Sequence, residues 1–131
     1  MDSAMESVLL DKWHKTLTLY HELSCALEST LQELHGLGLS EFEVLERLRR
    51  YEAECERGSD ECALKTLESR MHLSQSALSR TVSRLTNDGL VIRDINTTDR
   101  RAAMLKLTDE GRAKHEEAKP SHREVLAKFL D

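Results

Sequence analysis

From about Met5 to His35 the chain runs without a Pro or Gly, and its apolar residues fall at Leu10, Trp13, Leu17, Tyr20, Leu23, Leu27, Leu31 and Leu34. Steps of three or four throughout predict one amphipathic helix. Gly36 closes it, since glycine takes the left-handed backbone a helix end favours. Some 30 residues in a helix span about 45 Å. A compact chain of 131 residues has a radius of gyration of only about 14 Å. A rod of that length projects beyond its own globule, so its apolar stripe is expected to meet a second copy of the chain, as a homodimer.

The length suits one domain, residues 1–131. A single Pro and five Gly argue against sandwich, barrel or collagen-like architectures and for helices. No apolar run approaches the roughly 20 residues of a membrane helix. The start, Met1 to Glu6, lacks the basic and apolar regions of a secretory signal. Cys25, Cys55 and Cys62 form an odd set without a disulfide framework. These features together lead to the expectation of a cytoplasmic protein with no membrane partner.

Ser40 and Glu43 have the spacing of a capping box, predicting a second helix that starts at Ser40 with Phe42, Val44, Leu45 and Leu48 inward. An acidic, polar stretch over 51–62 prolongs it to about Arg57 before Gly58-Ser59-Asp60. Leu64 to Met71 reads as a short helix, His72-Leu73 as a tight turn, and Ser74 as the cap of another helix running to about Asp88. Gly89 ends that helix. Two short helices about a turn of roughly three residues are the sign of a helix-turn-helix. The period then changes: Leu90–Ile95 and Ala102–Leu107 read as strands flanking the polar turn 96–101. Such a hairpin completes a winged helix. Thr108 caps a last helix in which Pro120 predicts a kink or restart and Val125, Leu126, Phe129 and Leu130 form an apolar end.

The net charge of −5, taken as a whole, speaks against a nucleic-acid partner, but it is unevenly spread. Residues 1–63 hold 6 Lys/Arg against 14 Asp/Glu, net −8, whereas residues 64–114 hold 10 against 6, net +4. Residues 115–131 contribute −1. A basic segment behind an acidic one is expected where one sub-region meets a polyanion. Within it, the helix 74–88 turns Ala77, Leu78, Val82 and Leu85 to the core. The opposite face carries Gln75, Ser76, Ser79, Arg80, Ser83 and Arg84, with no carboxylate from 75 to 87. Small side chains let a helix approach closely in the roughly 12 Å major groove. The amides at its start suit a phosphate, and arginine forks onto guanine or phosphate. Arg100 and Arg101, at the hairpin tip, suit the minor groove or the phosphates, and the nearby Asp99 has a structural task, pairing with an arginine.

The run Leu73–Leu85, with Gly89-Leu90-Val91, Asp99-Arg100-Arg101 and Leu107–Arg112, resembles the MarR family of transcription regulators, as does Leu39–Leu45. The likeness covers roughly residues 36–130. It implies a mainly α (α+β) fold: a winged helix-turn-helix (about 37–108) with N- and C-terminal dimerisation helices (about 5–35 and 108–131). It further implies a homodimer on double-stranded DNA, usually a repressor released by small phenolic or anionic effectors or by oxidants. By the same resemblance Ser74, Gln75, Ser76, Ser79, Arg80, Ser83 and Arg84 belong to the recognition helix and Arg100 and Arg101 to the wing. Asp99 and Arg101 are then the pair that stabilises the wing. Family members generally continue through a further C-terminal helix, whereas this sequence stops at Asp131, and its connector before Cys62 is longer than usual.

Other chemistry is thinly supported. Cys55 and Cys62 offer an oxidant-sensing pair, but Glu54, Glu56 and Glu61 disfavour the reactive thiolate. His14 with His21, His21 with Cys25, and His115 with His122 have zinc-compatible spacings. Scattered solvated histidines explain them more simply, so neither metal nor cofactor is expected. Trp13 is a weak candidate for stacking on an aromatic effector, with packing the better explanation. No phosphate loop, CxxC, HExxH or serine elbow marks an enzyme. The rival from another class is a winged-helix adaptor that binds protein rather than DNA. It would carry an acidic or apolar face where this chain has Ser79-Arg80 and Ser83-Arg84.

Overall fold

A computed structural model describes residues 1–54, 62–94 and 103–131. Its elements follow the order α1 (Ser3–His35), α2 (Leu39–Glu54), β1 (Cys62–Ala63), α3 (Leu64–Arg70), α4 (Gln75–Asn87), β2 (Val91–Asp94), β3 (Met104–Leu107) and α5 (Asp109–Leu130). The three strands form an antiparallel sheet in the order β1-β3-β2, with Cys62 opposite Leu105 and Val91 opposite Leu107. This is the expected mainly helical, winged-helix architecture with a long helix at each end. Among the described residues, no helix is long and apolar enough to cross a membrane.

The long first helix is there and at 33 residues spans about 50 Å. Asp2 caps its start by accepting from Ala4 N, and Gly36 ends it with φ 66°, its N–H bonding back to Gln32 and Leu31 carbonyls. Only Leu27 and Leu31 of its stripe are fully covered by its own chain, and Leu34 beyond them is exposed. Leu27 and Leu31 are buried, while Leu10, Trp13, Leu17 and Tyr20 stay exposed, Tyr20 to 71%.

The helix α2 begins one residue before the expected cap at Ser40. Tertiary contacts explain the shift. Glu28 of α1 accepts from Leu39 N (2.7 Å), and Glu41, rather than Glu43, reaches back to Gly38 N (3.3 Å). The backbone amide at the start of the helix is therefore capped one way, by the Glu41 carboxylate on Gly38 N, and Ser40 lies inside the helix. Phe42, Val44, Leu45 and Leu48 enter the core as expected, meeting Leu67 of α3, Leu78, Val82 and Leu85 of α4, and Leu105 and Leu107 of β3. The residues expected to prolong α2 beyond Glu54 lie outside the described ones.

Two further expectations need correction. A two-residue strand, β1, joins the hairpin, too short to carry any period of its own. Pro120 neither ends nor restarts the last helix, which runs unbroken from Asp109 to Leu130. His115 and His122 are not solvated either. They are 2% and 5% exposed and each stacks on Phe42, with ring centroids 5.4 and 4.5 Å away.

Around those rings α2 and α5 are joined by charge. Arg123 Nη2 donates to Glu46 Oε1 (2.8 Å), Nη1 to Oε2, and His115 Nε2 to Oε1 (2.9 Å). Burial on its own would raise the Glu46 pKa. The hydrogen bonds from Arg123 and His115, reinforced by their charges, outweigh it and hold the carboxyl at about 2. A second tie, Arg112 with Glu52 (3.0 Å), sits nearer the start of α5.

The turn between α4 and β2 is locked onto the start of α5. Gly89 adopts φ 75°. Thr108 Oγ1 donates to Gly89 O (2.7 Å) and accepts from Gly111 N (3.0 Å), and Thr108 N donates to Leu90 O (3.1 Å). A Cβ at Gly111 would lie 2.1 Å from Leu90 O, a backbone atom that cannot swing aside. Helix propensity favours Ala over Gly. Gly111→Ala should nevertheless lower the free energy of unfolding, by about 1–3 kcal/mol in guanidinium titrations; a gain would contradict this packing. Because the folded Glu46 pKa lies below its ordinary 4.5, its contribution is full above that pH and fades as pH falls towards about 2. Wild type should therefore exceed Glu46→Gln in stability at pH 6, with the gap narrowing between pH 4.5 and 2 in acid unfolding.

Candidate nucleic-acid interface

The helix-turn-helix is built by caps and a polar–apolar division of one helix. Ser74 is extended at φ −65° and ψ 157°, and its Oγ accepts from Ala77 N (3.2 Å), so α4 starts where the sequence places it. Leu78, Val82 and Leu85 anchor it in the core, with Ala77 half-buried. Thr81 is buried too, its hydroxyl donating to Ala77 O (2.9 Å). Sequence reading missed it because a threonine in a polar helix reads as solvated. Its internal hydrogen bond is what lets it face the core.

The opposite face is entirely exposed: Ser74, Gln75, Ser76, Ser79, Arg80, Ser83 and Arg84. The structure thus brings the seven helix candidates onto one surface, where Ser79, Arg80, Ser83 and Arg84 line a shallow open depression. Among the described residues four other arginines are paired, whereas Arg47, Arg50 and Arg93, like Arg80 and Arg84, are not. Arg49 pairs with Glu52, Arg70 with Glu54, Arg112 with Glu52 and Asp109, and Arg123 with Glu46. Arg80 and Arg84 have no hydrogen-bond or ion-pair partner among the described residues. Two guanidiniums left exposed on a carboxylate-free face suit an external polyanion, because each offers a planar fork of donors to phosphate or to a base edge. The wing-tip candidates Asp99, Arg100 and Arg101 lie outside the described residues.

A cleft of about 300 Å³ opens behind this unit, between α1, the start of α2 and the turn that leads into α4. Tyr20, Leu23, Leu27, Met71 and Leu73 give it apolar walls, and Arg47, Arg70 and His72 line it together with the carboxylate of Glu43. The sequence offered no signal for this site, because its lining comes from three separate stretches. Trp13 is not part of it. That ring is exposed on the first turns of α1, beside Met1, Glu6, Leu9 and Leu10.

The cysteines and histidines do not form a metal or redox site within the described residues. No three His, Cys, Asp or Glu side chains gather there as metal ligands. Cys25 Sγ and His21 Nε2 come to 3.9 Å on the exposed face of α1. Cys62 is buried, and burial pushes its thiol pKa up. Its proposed partner Cys55 lies outside the described residues.

The MarR family model matches residues 35–102, more than half of the chain and the whole stretch from α2 to the wing. Over 61 residues the chain is 39% identical to the HTH-type transcriptional repressor MdtR of Bacillus subtilis (strain 168). That stretch is 47% of this chain and 39% of the repressor, so the match spans about two-fifths of that relative's length. AbsC, a MarR family regulator from Streptomyces coelicolor, superposes with a TM-score of 0.75 at 27% identity, over 92% of this chain and 77% of its own. Sco3205 from the same organism, solved in complex with DNA, has a TM-score of 0.78 at 24% identity, over 99% and 75%. Fold, cap positions and family match agree: the chain belongs to the MarR family, transcription regulators rather than enzymes.

Proposed function

We propose that this regulator works as a homodimer, binding a pseudo-palindromic site on double-stranded DNA and repressing transcription until a small phenolic or anionic effector releases it. The observation that carries this reading is the pair of unpaired guanidiniums, Arg80 and Arg84, on the exposed face of α4. Each α4 enters a major groove, with half-sites about 10 base pairs apart. Ser74, Gln75 and Ser76 bring the start of the helix to the phosphates, and Ser79, Arg80, Ser83 and Arg84 face the bases. Arg100 and Arg101 reach out from the wing, with Asp99 holding Arg101 in place. The likeness to the repressor MdtR supports repression.

The dimer rests on the uncovered part of α1, where Leu10, Trp13, Leu17 and Tyr20 expose an apolar stripe. Monomeric proteins rarely leave a continuous apolar patch this long in water. Helices about 5–35 and 108–131 form the dimerisation part, and residues 37–108 the DNA-binding part. The effector reading rests on the 300 Å³ cleft, whose size and apolar walls suit a small aromatic molecule and whose Arg47, Arg70 and His72 suit its negative charge.

A fluorescence-anisotropy titration on duplex DNA tests the whole reading. Affinity should fall steeply as salt rises, because phosphate neutralisation releases counterions. Arg80→Ala or Arg84→Ala should each cost about 1–3 kcal/mol on a selected site if it reads a base. Wild-type affinity in both variants would reject α4 as the reading helix, and binding without salt dependence would favour the adaptor. Leu17→Glu should shift sedimentation equilibrium from dimer towards monomer; an unchanged mass would place the dimer contact elsewhere.

A further inference from the structure

The two arginines that line the cleft beside α1 are in different situations. Arg47 is half-buried and has no hydrogen-bond or ion-pair partner among the described residues. Arg70 is bonded to Glu54 at 3.4 Å. Glu43 lies one turn before Arg47 on α2, and both side chains line the cleft. A glutamate four residues before a basic residue is the favoured order for an ion pair on a helix. That pair is not made here, and the last helix supplies the reason.

Glu43 turns instead towards α5, where its Oε1 is 3.6 Å from His122 Nε2. Arg123 Nη1 lies 2.8 Å from His122 Nδ1. A guanidinium only donates, so Nδ1 accepts and the neutral ring carries its proton on Nε2, the nitrogen nearest Glu43. Phe42 holds that ring in place by stacking on it, with centroids 4.5 Å apart. Arg123 draws the same carboxylate. The hydrogen bond to Glu46 raises the Arg123 pKa despite burial, and the charges of Glu46 and Glu43 add to the rise.

We propose, on the effector reading given above, that Arg47 anchors the negative charge of the cleft's ligand, an aromatic monocarboxylate, and that His122 is a positioning residue that keeps Arg47 free by holding Glu43 towards α5. A half-buried guanidinium among apolar side chains is costly until an anion meets it. The apolar walls take the ligand's ring, as in most small-molecule sites. Ser24 directs its hydroxyl proton to Tyr20 O (2.6 Å) and so adds no donor for an anion. Glu43 stays in the lining as a fixed negative charge one turn from the anchor. A second carboxylate on the same small ligand shares the cleft with Glu43 and is repelled by it.

His122 then controls the anchor without touching the ligand. Once its N–H is removed, Glu43 is free to take the pairing with Arg47 that their spacing favours. The incoming anion has to compete with a carboxylate already in the cleft.

The test is a ligand-observed NMR titration of the full chain at pH 7.5 and constant salt, with benzoate, its neutral amide benzamide, and the dianion phthalate. Wild type should bind benzoate at least tenfold more tightly than either of the others. Arg47→Gln should reduce the preference for benzoate over benzamide below threefold. Arg70→Gln should lose a smaller factor, and equal losses in the two variants would contradict a single anchor. His122→Phe, which keeps a ring against Phe42, should lower benzoate affinity at least threefold, and adding Glu43→Gln should restore it. A simple loss of packing would not give that rescue. If His122→Phe does not fold, Arg123→Gln takes its place, with the same loss and the same rescue. Benzoate binding that Arg47→Gln leaves intact overturns the anchor while the cleft stands as a ligand site. A loss in His122→Phe that Glu43→Gln does not restore overturns the positioning role. A wild type that binds none of the three compounds rejects the effector reading of the cleft, and the anchor with it.

Discussion

A single backbone carbonyl, that of Leu90, is where the end of α4, the β2–β3 hairpin and the start of α5 meet. It accepts from Thr108 N and sits so close to Gly111 that no side chain fits between them. Thr108 completes the junction, holding Gly89 O with its hydroxyl proton and Gly111 N with its lone pair. The end of α4 is thereby fixed relative to the start of α5 by backbone groups and one hydroxyl, with no long side chain to flex. Its other end is set by the Ser74 cap, and its middle by Leu78, Val82 and Leu85. A surface meant to fit a groove needs this kind of support, since its exposed residues contribute almost nothing to holding it in place.

Charge is organised around the same frame. The carboxylates of α2 are used internally: Glu41 at the start of its own helix, Glu46 against Arg123 and His115, Glu52 against Arg49 and Arg112. Surface pairs of this type contribute little each. The Glu46 cluster, being buried, specifies how α2 and α5 dock more than it stabilises them. Glu46 and Glu52 are thus taken up by Arg49, Arg112 and Arg123, and neither reaches Arg80 or Arg84. The overall charge of −5 thus conceals a local positive excess on the exposed face of α4, the face proposed above to meet DNA.

Much of this was legible because the decisive signals are local. The three-four spacing of α1, Ser74 before α4, Gly89 after it and Thr108 before α5 each act within one or two turns, and each lies where the sequence puts it. What escaped depends on contacts between distant stretches. The start of α2 moved because Glu28, eleven residues earlier, caps Leu39. The β1 strand exists only because β3 is there to pair with it. His115 and His122 read as solvated until Phe42, from another helix, is seen to stack on both. Pro120 offered a break that the surrounding helix does not make. The cleft beside α1 draws on three segments that no spacing rule connects.

The central claim is that two copies of α4, set by this frame, read two half-sites on one face of a duplex. Hydroxyl-radical footprinting on a duplex selected by the protein measures this directly. The account predicts two symmetric protected patches per strand set, separated by about one helical turn of 10 base pairs. A single protected patch, or uniform protection without a repeat, would contradict it.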